Sequence, residues 1–261
     1  MGRLEHKIAM VTGAAMGNGR GIAEVMLDEG ATVILTDIND QVFQTAHELG
    51  EKAIGYQMDV TDQNQIRKVV DECEQTYGRI DILVNNAGIA KFARFTDITD
   101  ELRDLHFNIN VFGPWNCTKA VLPIMLKHHY GRVVTMSSVT GPYVADPGEI
   151  AYATSKAALI GFTKALAIET AQDNITVNAI CPGYILTPMV KKSAKESNPK
   201  CPQAVIDQIA AGIPMKRLGS TKNIGDLVTF LASDDAEYLT GQAIIIDGGN
   251  GIPETNAMGL A

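Results

Sequence analysis

Two side chains suited to proton transfer, Tyr152 and Lys156, stand four residues apart in the sequence. Apolar residues at helical spacing over residues 151–171 predict that both lie on one face of a helix. A phenol has a pKa near 10, so only about 0.1% of it is ionised at pH 7. Lowering that pKa by about three units requires roughly 4 kcal/mol, which one cation about 4 Å away supplies at an effective dielectric near 20. A Tyr-x-x-x-Lys pair also arises by chance, so its meaning depends on the motifs around it. With those motifs, the pair predicts a tyrosine base that Lys156 activates to take a proton from an alcohol.

A glycine-rich loop at residues 12–19 places Gly13, Gly17 and Gly19 between a predicted strand and a predicted helix. Three glycines permit a tight turn and let backbone amides approach a pyrophosphate at the positive end of the helix. The spacing is G-x-x-x-G-x-G rather than G-x-G-x-x-G, and such a pattern also arises by chance in a chain with 24 glycines. The strand before the loop and the helix after it favour a dinucleotide site.

An acidic residue, Asp37, ends the second predicted strand and stands 20 residues beyond Gly17. At this distance a carboxylate accepts the hydroxyls of the adenosine ribose, and it repels a 2'-phosphate. The neighbouring Ile38 and the loop residue Met16 offer no cation to a phosphorylated ribose. The pattern predicts NAD in preference to NADP, with a helix-capping or turn carboxylate as the alternative role of Asp37.

The elements that must position these residues are seven short runs rich in β-branched residues, separated by segments with helical spacing. The predicted strands are residues 8–11, 32–36, 53–58, 82–84, 132–136, 176–180 and 243–246, and the clearest helices are residues 21–29, 63–77 and 151–171. Alternation of this kind predicts an α/β fold, a Rossmann-type doubly wound sheet of seven parallel strands with helices on both faces. We expect residues 1–261 to form one dinucleotide-binding and catalytic domain.

One segment interrupts the alternation of strands and helices, residues 187–216, which holds four prolines and a cluster of lysines. It precedes the next clear helix and is interpreted as a mobile insertion. Substrate lids are drawn from such segments because they must open to solvent and close again. The alternative is a plain surface excursion.

Composition excludes several classes of protein. The 261 residues are 46% apolar and 20% charged, which is typical of a soluble globular chain, and the net charge of -8 gives no basic surface for nucleic acid. The four cysteines are widely spaced without a C-x-x-C pair, so we expect neither a disulfide framework nor a metal site. No apolar run approaches the roughly 18 to 20 residues of a membrane span. We therefore expect a cytoplasmic protein without a signal peptide or membrane attachment.

Further short motifs follow the glycine loop in a characteristic order. They are Asp59-Val60, Asn85-Asn86-Ala87-Gly88, Asn110, Ser137-Ser138, Tyr152-x-x-x-Lys156 and Pro182-Gly183. In this order the motifs resemble the short-chain dehydrogenase/reductase family, from about Gly2 to Asp247-Gly248-Gly249. Residues 115–123, 137–152 and 180–189 resemble one bacterial oxidoreductase subgroup of that family more closely.

The resemblance implies roles for four catalytic residues. Tyr152 is the general acid/base, and Lys156 binds the nicotinamide ribose as well as activating Tyr152. Ser138, the second serine of S-S-x-x-G, donates to the substrate oxygen. Asn110 holds a water that links Lys156 to solvent, with Asn108 as the alternative. Tyr152 follows Ser138 by 14 residues where the family has 13, which implies an extra loop residue between Pro142 and Glu149.

The same resemblance implies a set of residues around the cofactor. They are Gly13, Met16, Gly17, Asn18, Gly19, Asp37, Ile38, Asp59, Val60, Asn86, Ala87, Gly88, Tyr152, Lys156, Pro182, Gly183, Ile185 and Thr187. Asn18 stands where the family commonly has Ile, which puts its phosphate contact in doubt.

The expected function is hydride transfer between NAD(H) and an alcohol or ketone. The alternative from another class is a nucleotide-sensing regulatory protein of the same fold, and epimerase or dehydratase variants are alternatives among enzymes. Candidate substrate residues are Phe92, Tyr143, Val144, Tyr184 and Met189 for an apolar pocket, and Lys91, Lys191 and Lys192 for an anionic group. The resemblance also implies a homotetramer with 222 symmetry that pairs the helices of Tyr152 and Asn110, with apolar runs at residues 121–126 and 157–162 and a tail at 251–261 that crosses an interface.

Overall fold

The sheet has seven parallel strands, as the sequence predicts. The computed structural model describes residues 2–253. Its strands are β1 Ile8–Thr12, β2 Thr32–Asp37, β3 Ala53–Gln57, β4 Ile82–Asn85, β5 Gly131–Met136, β6 Ile175–Pro182 and β7 Ala243–Ile246. Their order in the sheet is β3-β2-β1-β4-β5-β6-β7. The Rossmann-type arrangement is therefore confirmed.

Nine α-helices connect and cover these strands within the described residues. They are α1 Gly17–Asp28, α2 Gln41–Leu49, α3 Gln63–Tyr77, α4 Asp100–Phe107, α5 Gly113–His128, α6 Ile150–Thr170, α7 Pro188–Ser197, α8 Pro202–Gly212 and α9 Thr221–Ala232. One buried apolar cluster joins the sheet to α1 and α9, and a second joins its other face to α3 and α5. The fold therefore has three layers. Within residues 2–253, no helix combines the length and the apolar character that crossing a membrane requires.

The central strands explain why the sequence adopts this sheet. Every residue of β1, β4, β5 and β6 is buried, as expected for strands covered by helices on both faces. The strand order reverses between β1 and β4, which are neighbours in the sheet. Ligands of doubly wound sheets bind beyond the carboxyl ends of the strands at such a reversal. The loops after β1 and β4 are therefore the place to look for a site.

Residues 187–216 contain two helices that the sequence interpretation missed. Pro188 lies in the first turn of α7 and Pro202 in the first turn of α8. Proline is tolerated in the first turn because its missing amide hydrogen has no partner there in any case. Pro188 and Pro202 therefore mark the starts of helices, where the sequence pattern predicts an interruption of regular structure.

Candidate active site

The glycine loop brings the start of α1 close to the end of β1. Gly13 and Gly17 have positive φ angles of 65° and 60°, which side chains with a Cβ rarely adopt. A Cβ on Gly19 would lie 2.1 Å from the Gly13 carbonyl oxygen, so only glycine fits there. Met16 precedes α1 without a side-chain capping bond, and the first turn of the described helix has no acidic residue. The backbone amides in the first turn of α1, together with the positive end of the helix dipole, therefore suit an anion such as a pyrophosphate.

A threonine and an asparagine lock this loop to the segment after β4. Thr12 Oγ1 accepts hydrogen bonds from the amides of Asn86 and Ala87, both at 3.0 Å. Asn86 Nδ2 donates to the carbonyl oxygens of Thr12 and Gly13, both at 2.9 Å. The Asn86 side chain is therefore used to hold the loop. Thr12 was missing from the predicted site, although its place directly before Gly13 was a signal for it.

Asp37 contacts the glycine loop directly. Its Oδ2 accepts from the Ala15 amide at 3.0 Å, and its Oδ1 accepts from the Asn39 amide at 2.9 Å. Asp37 therefore has in part the alternative role that the sequence allows, that of a carboxylate that accepts backbone amides in a turn. A carboxylate has about four acceptor positions, so Asp37 keeps capacity for ribose hydroxyls. Ile38 beside it is 65% exposed.

The predicted adenine residues lie past the end of β3. Asp59 Oδ1 accepts from the amide and the hydroxyl of Thr61, both at 2.8 Å. Val60 is buried, and a Cβ on Gly113 would lie 2.8 Å from its Cγ2. Asp59 and Ile38 share a surface cavity of about 600 Å³. Both residues therefore face one cavity.

The two serines after β5 have different roles. Ser137 Oγ donates to the carbonyl oxygen of Lys156 at 2.8 Å and so fastens α6 to the sheet. Ser138 Oγ accepts from the Thr140 amide at 3.1 Å, which leaves its own hydrogen available for donation. Ser138 also lies near enough to Tyr152 to lower the pKa of the phenol. The geometry therefore favours Ser138 over Ser137 as the serine that faces a substrate.

Lys156 is buried in α6, with 6% of its surface exposed. Its Nζ donates to the carbonyl oxygen of Met136 at 2.7 Å and lies 5.8 Å from the centre of the Tyr152 ring. Burial lowers the pKa of Lys156 to about 8, because the charged form loses its hydration, and the neighbouring Cys181 opposes this effect. The ammonium is therefore close to its titration point near neutral pH.

The pKa of Tyr152 moves in the direction opposite to the prediction. Burial raises the pKa of the phenol, Ser138 lowers it, and the carboxylate of Glu149 raises it. Loss of hydration on burial, which only the folded chain reveals, is the largest influence on the phenol. In the protein without cofactor, the phenol pKa is therefore raised, and the expected depression stays a prediction for the cofactor-bound protein.

A π-helical turn, Asn108–Phe112, positions the predicted asparagine. Asn110 is fully buried, its Oδ1 accepts from the Ile89 amide at 2.8 Å, and its Nδ2 donates to the Ile89 carbonyl and to Ser155 Oγ, both at 3.0 Å. A Cβ on Gly88 would lie 3.2 Å from Asn110 Oδ1 and 3.5 Å from Lys156 Nζ. Asn108 is exposed. The geometry therefore favours Asn110 over Asn108.

The segment after β6 returns to the glycine loop. A Cβ on Gly183 would lie 2.7 Å from Cβ of Asp247, so Pro182-Gly183 packs tightly against the end of β7. Ile185 is buried and pairs with Gly219. Thr187 caps α7 by accepting from the Val190 amide at 3.3 Å. Its Cβ would lie 4.0 Å from a Cβ on Gly17, so this segment faces the phosphate end of the site.

Asn18 is the departure from the family pattern. Its Oδ1 is buried and has no hydrogen-bond partner within residues 2–253. An open acceptor therefore lies in the first turn of α1, beside the amides that suit a pyrophosphate.

Among the candidate substrate residues, Phe92 makes the most direct contact with the site. Its ring stands edge-on to Tyr152, with centroids 6.2 Å apart and planes at 89°. The remaining apolar candidates are half-exposed or exposed: Tyr143, Val144, Tyr184 and Met189. The candidate lysines Lys91, Lys191 and Lys192 are exposed, and Lys192 lies 3.9 Å from Glu196.

Comparison with known proteins agrees with the fold and the motifs. A family model described as Enoyl-(Acyl carrier protein) reductase matches residues 13–250. The chain is 50% identical to Oxidoreductase UcpA of Salmonella typhimurium over 263 aligned positions that cover all of both chains. This similarity confirms the subgroup that residues 115–123, 137–152 and 180–189 indicate. The chain is also 43% identical to the 3-oxoacyl-acyl-carrier-protein reductase FabG of Thermotoga maritima, over 95% of this chain and 98% of that one.

A solved structure shows the same architecture. Ligand-free aldohexose dehydrogenase of Thermoplasma acidophilum superposes with a TM-score of 0.89, at 34% identity and with 96% of each chain covered. The glycine loop, the open amino end of α1 and Asp37 at the end of β2 fit a nicotinamide dinucleotide, the cofactor type of this family. The chain belongs to the short-chain dehydrogenase/reductase family of oxidoreductases.

Proposed function

We propose that the protein is an NAD-dependent alcohol dehydrogenase or carbonyl reductase in which Tyr152 is the general acid/base. The observation that carries the proposal is the convergence of Ser138, Tyr152 and Lys156 at the carboxyl end of β5. Ser138 keeps its hydroxyl hydrogen available, Tyr152 lies beside it, and the ammonium of Lys156 is buried 5.8 Å from the Tyr152 ring. A hydrogen-bond donor, a base and a cation at one strand end are what alcohol oxidation requires.

The chemistry follows from these side chains. Bound NAD supplies the hydride acceptor and a positively charged ring. Ser138 donates to the substrate oxygen, and Tyr152 Oη takes the hydroxyl proton as the carbonyl forms; in reduction Tyr152 returns that proton. Burial raises the pKa of Tyr152, so the ionised phenol needs nearby positive charge to form near neutral pH. We assign that charge to Lys156 together with the bound cofactor, and we assign to Asn110 the water that links Lys156 to solvent.

The cofactor site is assigned to four groups of residues. The glycine loop would hold the pyrophosphate, and Asp37 the adenosine ribose. The end of β3 would hold the adenine, and the segment after β6 the carboxamide, through Pro182, Gly183, Ile185 and Thr187. The proposed preference for NAD rests on Asp37, whose carboxylate would repel a 2'-phosphate.

The substrate is proposed only as a class, a small alcohol or ketone. Phe92 at the Tyr152 ring supports an apolar contact beside the reacting carbon. Relatives act, by their names, on compounds as different as an acyl-carrier-protein thioester and an aldohexose. The segment with α7 and α8 is proposed as the substrate lid. The regulatory alternative is not favoured, because all the relatives named above are oxidoreductases.

Assembly as a 222 tetramer is part of the proposal. Exposed aromatic side chains on the π turn and α5, Phe112 and Trp115, support a contact through this face. Most of the tail that we expected at an interface, residues 254–261, lies outside the described residues. Light scattering at micromolar concentration tests the assembly: a mass of four chains is expected, and a mass near 28 kDa contradicts it.

A screen of alcohols with NAD and of ketones with NADH, read by the absorbance of reduced nicotinamide, tests the activity. Turnover that depends on the dinucleotide and on the added substrate is expected. Binding of NADH without turnover of any member of a broad alcohol and ketone panel would contradict the proposed enzymatic activity. That result would favour the nucleotide-sensing regulatory protein instead.

A further inference from the structure

A buried histidine, His106, holds the segment that leads to Phe92. Residues 86–99 contain no helix or strand, yet two side chains one turn apart hold their backbone. Asn110 bonds both backbone groups of Ile89, and His106 Nε2 accepts from the Lys91 amide at 3.1 Å. His106 has no exposed surface. The chain from Ile89 to Lys91 is therefore held on α4 and the π turn at two points.

The partners of His106 establish which ring nitrogen carries the hydrogen. Nδ1 lies 2.8 Å from the carbonyl oxygen of Leu102, which can only accept. Nδ1 therefore donates, and the lone pair of Nε2 is left to accept from Lys91. In this tautomer Nδ1 donates one hydrogen bond and Nε2 accepts another. His106 therefore serves as a hydrogen-bond acceptor for the Lys91 amide and does more than occupy volume in the core.

The bond to Lys91 lies next to the reacting groups. Phe92 follows Lys91 and places its ring against Tyr152. Ala93 then donates to the carbonyl oxygen of Gly148 at 3.0 Å, in the loop that leads into α6. His106, Tyr152 and Gly148 thus contact Lys91, Phe92 and Ala93, respectively. Loss of the hydrogen bond between His106 and Lys91 therefore loosens the position of Phe92 beside Tyr152.

We propose that His106 is a positioning residue that sets Phe92 beside Tyr152 by accepting the Lys91 amide, and so shapes the substrate side of the active site. This inference rests on the proposed function of Tyr152. Without the acceptor, the part-buried Lys91 amide loses its partner and regains one only by moving toward water, because leaving an amide unpaired is costly. Substrate binding then weakens, whereas the cofactor contacts on β1, α1 and β6 stay in place.

Two variants separate the hydrogen bond from the volume of the ring. His106→Leu fills the space without an acceptor, and His106→Gln keeps an oxygen that can accept the amide. We expect His106→Leu to lower kcat/KM for the alcohol about tenfold, mainly through KM, with NADH affinity within about twofold of native. His106→Gln should recover kcat/KM to within about threefold. His47→Leu, which removes an exposed histidine of α2, is the matched control and should behave as native.

Hydrogen exchange at the Lys91 amide gives a readout that does not depend on turnover. We expect faster exchange in His106→Leu and native exchange in His106→Gln, in proteins whose thermal unfolding shows them folded. Native exchange in His106→Leu overturns the inference, and so does faster exchange with unchanged kcat/KM. Equal loss of kcat/KM in both variants also overturns it, because a purely structural role predicts that result. Absence of turnover in the native protein contradicts the proposed function instead, and the exchange result then decides whether His106 holds the segment.

Discussion

The ammonium nitrogen of Lys156 lies 5.8 Å from the centre of the Tyr152 ring and is fixed there by a 2.7 Å hydrogen bond to the carbonyl oxygen of Met136. The sheet thus fixes the position of the cation. Burial of Lys156 lowers its pKa to about 8, and burial of Tyr152 raises the pKa of the phenol, so both groups are destabilised in their charged forms. A buried charge held beside a reacting group is a cost in stability that function requires.

Replacement of Lys156 by Met should therefore stabilise the protein while it abolishes turnover. A shift of the pKa from 10.5 to about 8 corresponds to about 3 kcal/mol, partly offset by the lost bond to Met136, so we expect a gain of about 1–3 kcal/mol at pH 7. Urea unfolding of the cofactor-free proteins measures it.

The pH dependence of that difference has a definite sign. The folded pKa lies below the unfolded one, so the unfolded chain binds more protons between pH 8 and 10.5, and the native protein gains stability relative to Lys156→Met as the pH rises through this window. The free energy of unfolding of Lys156→Met should exceed that of the native protein by the full amount below pH 8, and the difference should vanish near pH 10.5. An advantage that is absent at pH 7, or that does not change with pH, contradicts the burial argument.

Replacement of the two neighbouring serines should affect different properties, with activity lost at Ser138 and stability lost at Ser137. Ser138→Ala removes the donor to the substrate oxygen, so we expect kcat/KM to fall by about 10²–10³, with the pH profile of oxidation displaced to higher pH because Ser138 lowers the pKa of Tyr152. Ser137→Ala removes the bond to the Lys156 carbonyl and should cost about 1 kcal/mol of stability, with turnover within about tenfold of native. Steady-state kinetics and urea unfolding of both variants test this. Equal activity losses would show that Ser138 has no special position.

Cofactor preference should depend on Asp37. NADH should bind at least about tenfold tighter than NADPH, and Asp37→Ala should narrow that ratio because it removes the repulsion of a 2'-phosphate. Arg20 of α1 is paired with Glu24 at 2.9 Å and with Glu48 at 2.8 Å. Fluorescence titration measures both affinities, and Asp40→Ala, which removes an adjacent charge, should leave the ratio unchanged. Equal affinity of the native protein for both cofactors contradicts the assignment.

Much of the fold could be predicted because its central strands are buried on both faces and therefore appear as short runs rich in β-branched and other apolar residues. The predicted segments for β5 and β6 differ from the observed strands by one or two residues at their ends. Residues 188–212 could not be predicted in the same way. Prolines in the first turns of α7 and α8, together with the polar, lysine-rich composition of α7, hid the helical period there.

The site residues could be found from sequence where a motif carries them, as with Asp37, Ser138 and Tyr152. Thr12 and His106 act by accepting backbone amides of Asn86 and Lys91, residues that only the folded chain brings near. No local pattern reports such contacts. The pKa of Tyr152 was also out of reach, because the loss of hydration that raises it depends on packing by the whole site.

The most direct test of the account is the pH profile of alcohol oxidation by the native protein beside Tyr152→Phe, with NAD affinity measured for both. The variant loses only the reacting hydroxyl, so we expect NAD affinity to stay nearly native and turnover to fall by at least about a hundredfold. The native rate should rise with pH through a value below the free phenol pKa of about 10, because the charge of Lys156 and the cofactor offsets the effect of burial. Turnover in Tyr152→Phe above about a hundredth of the native rate would show that another group is the base, and would contradict the proposed role of Tyr152.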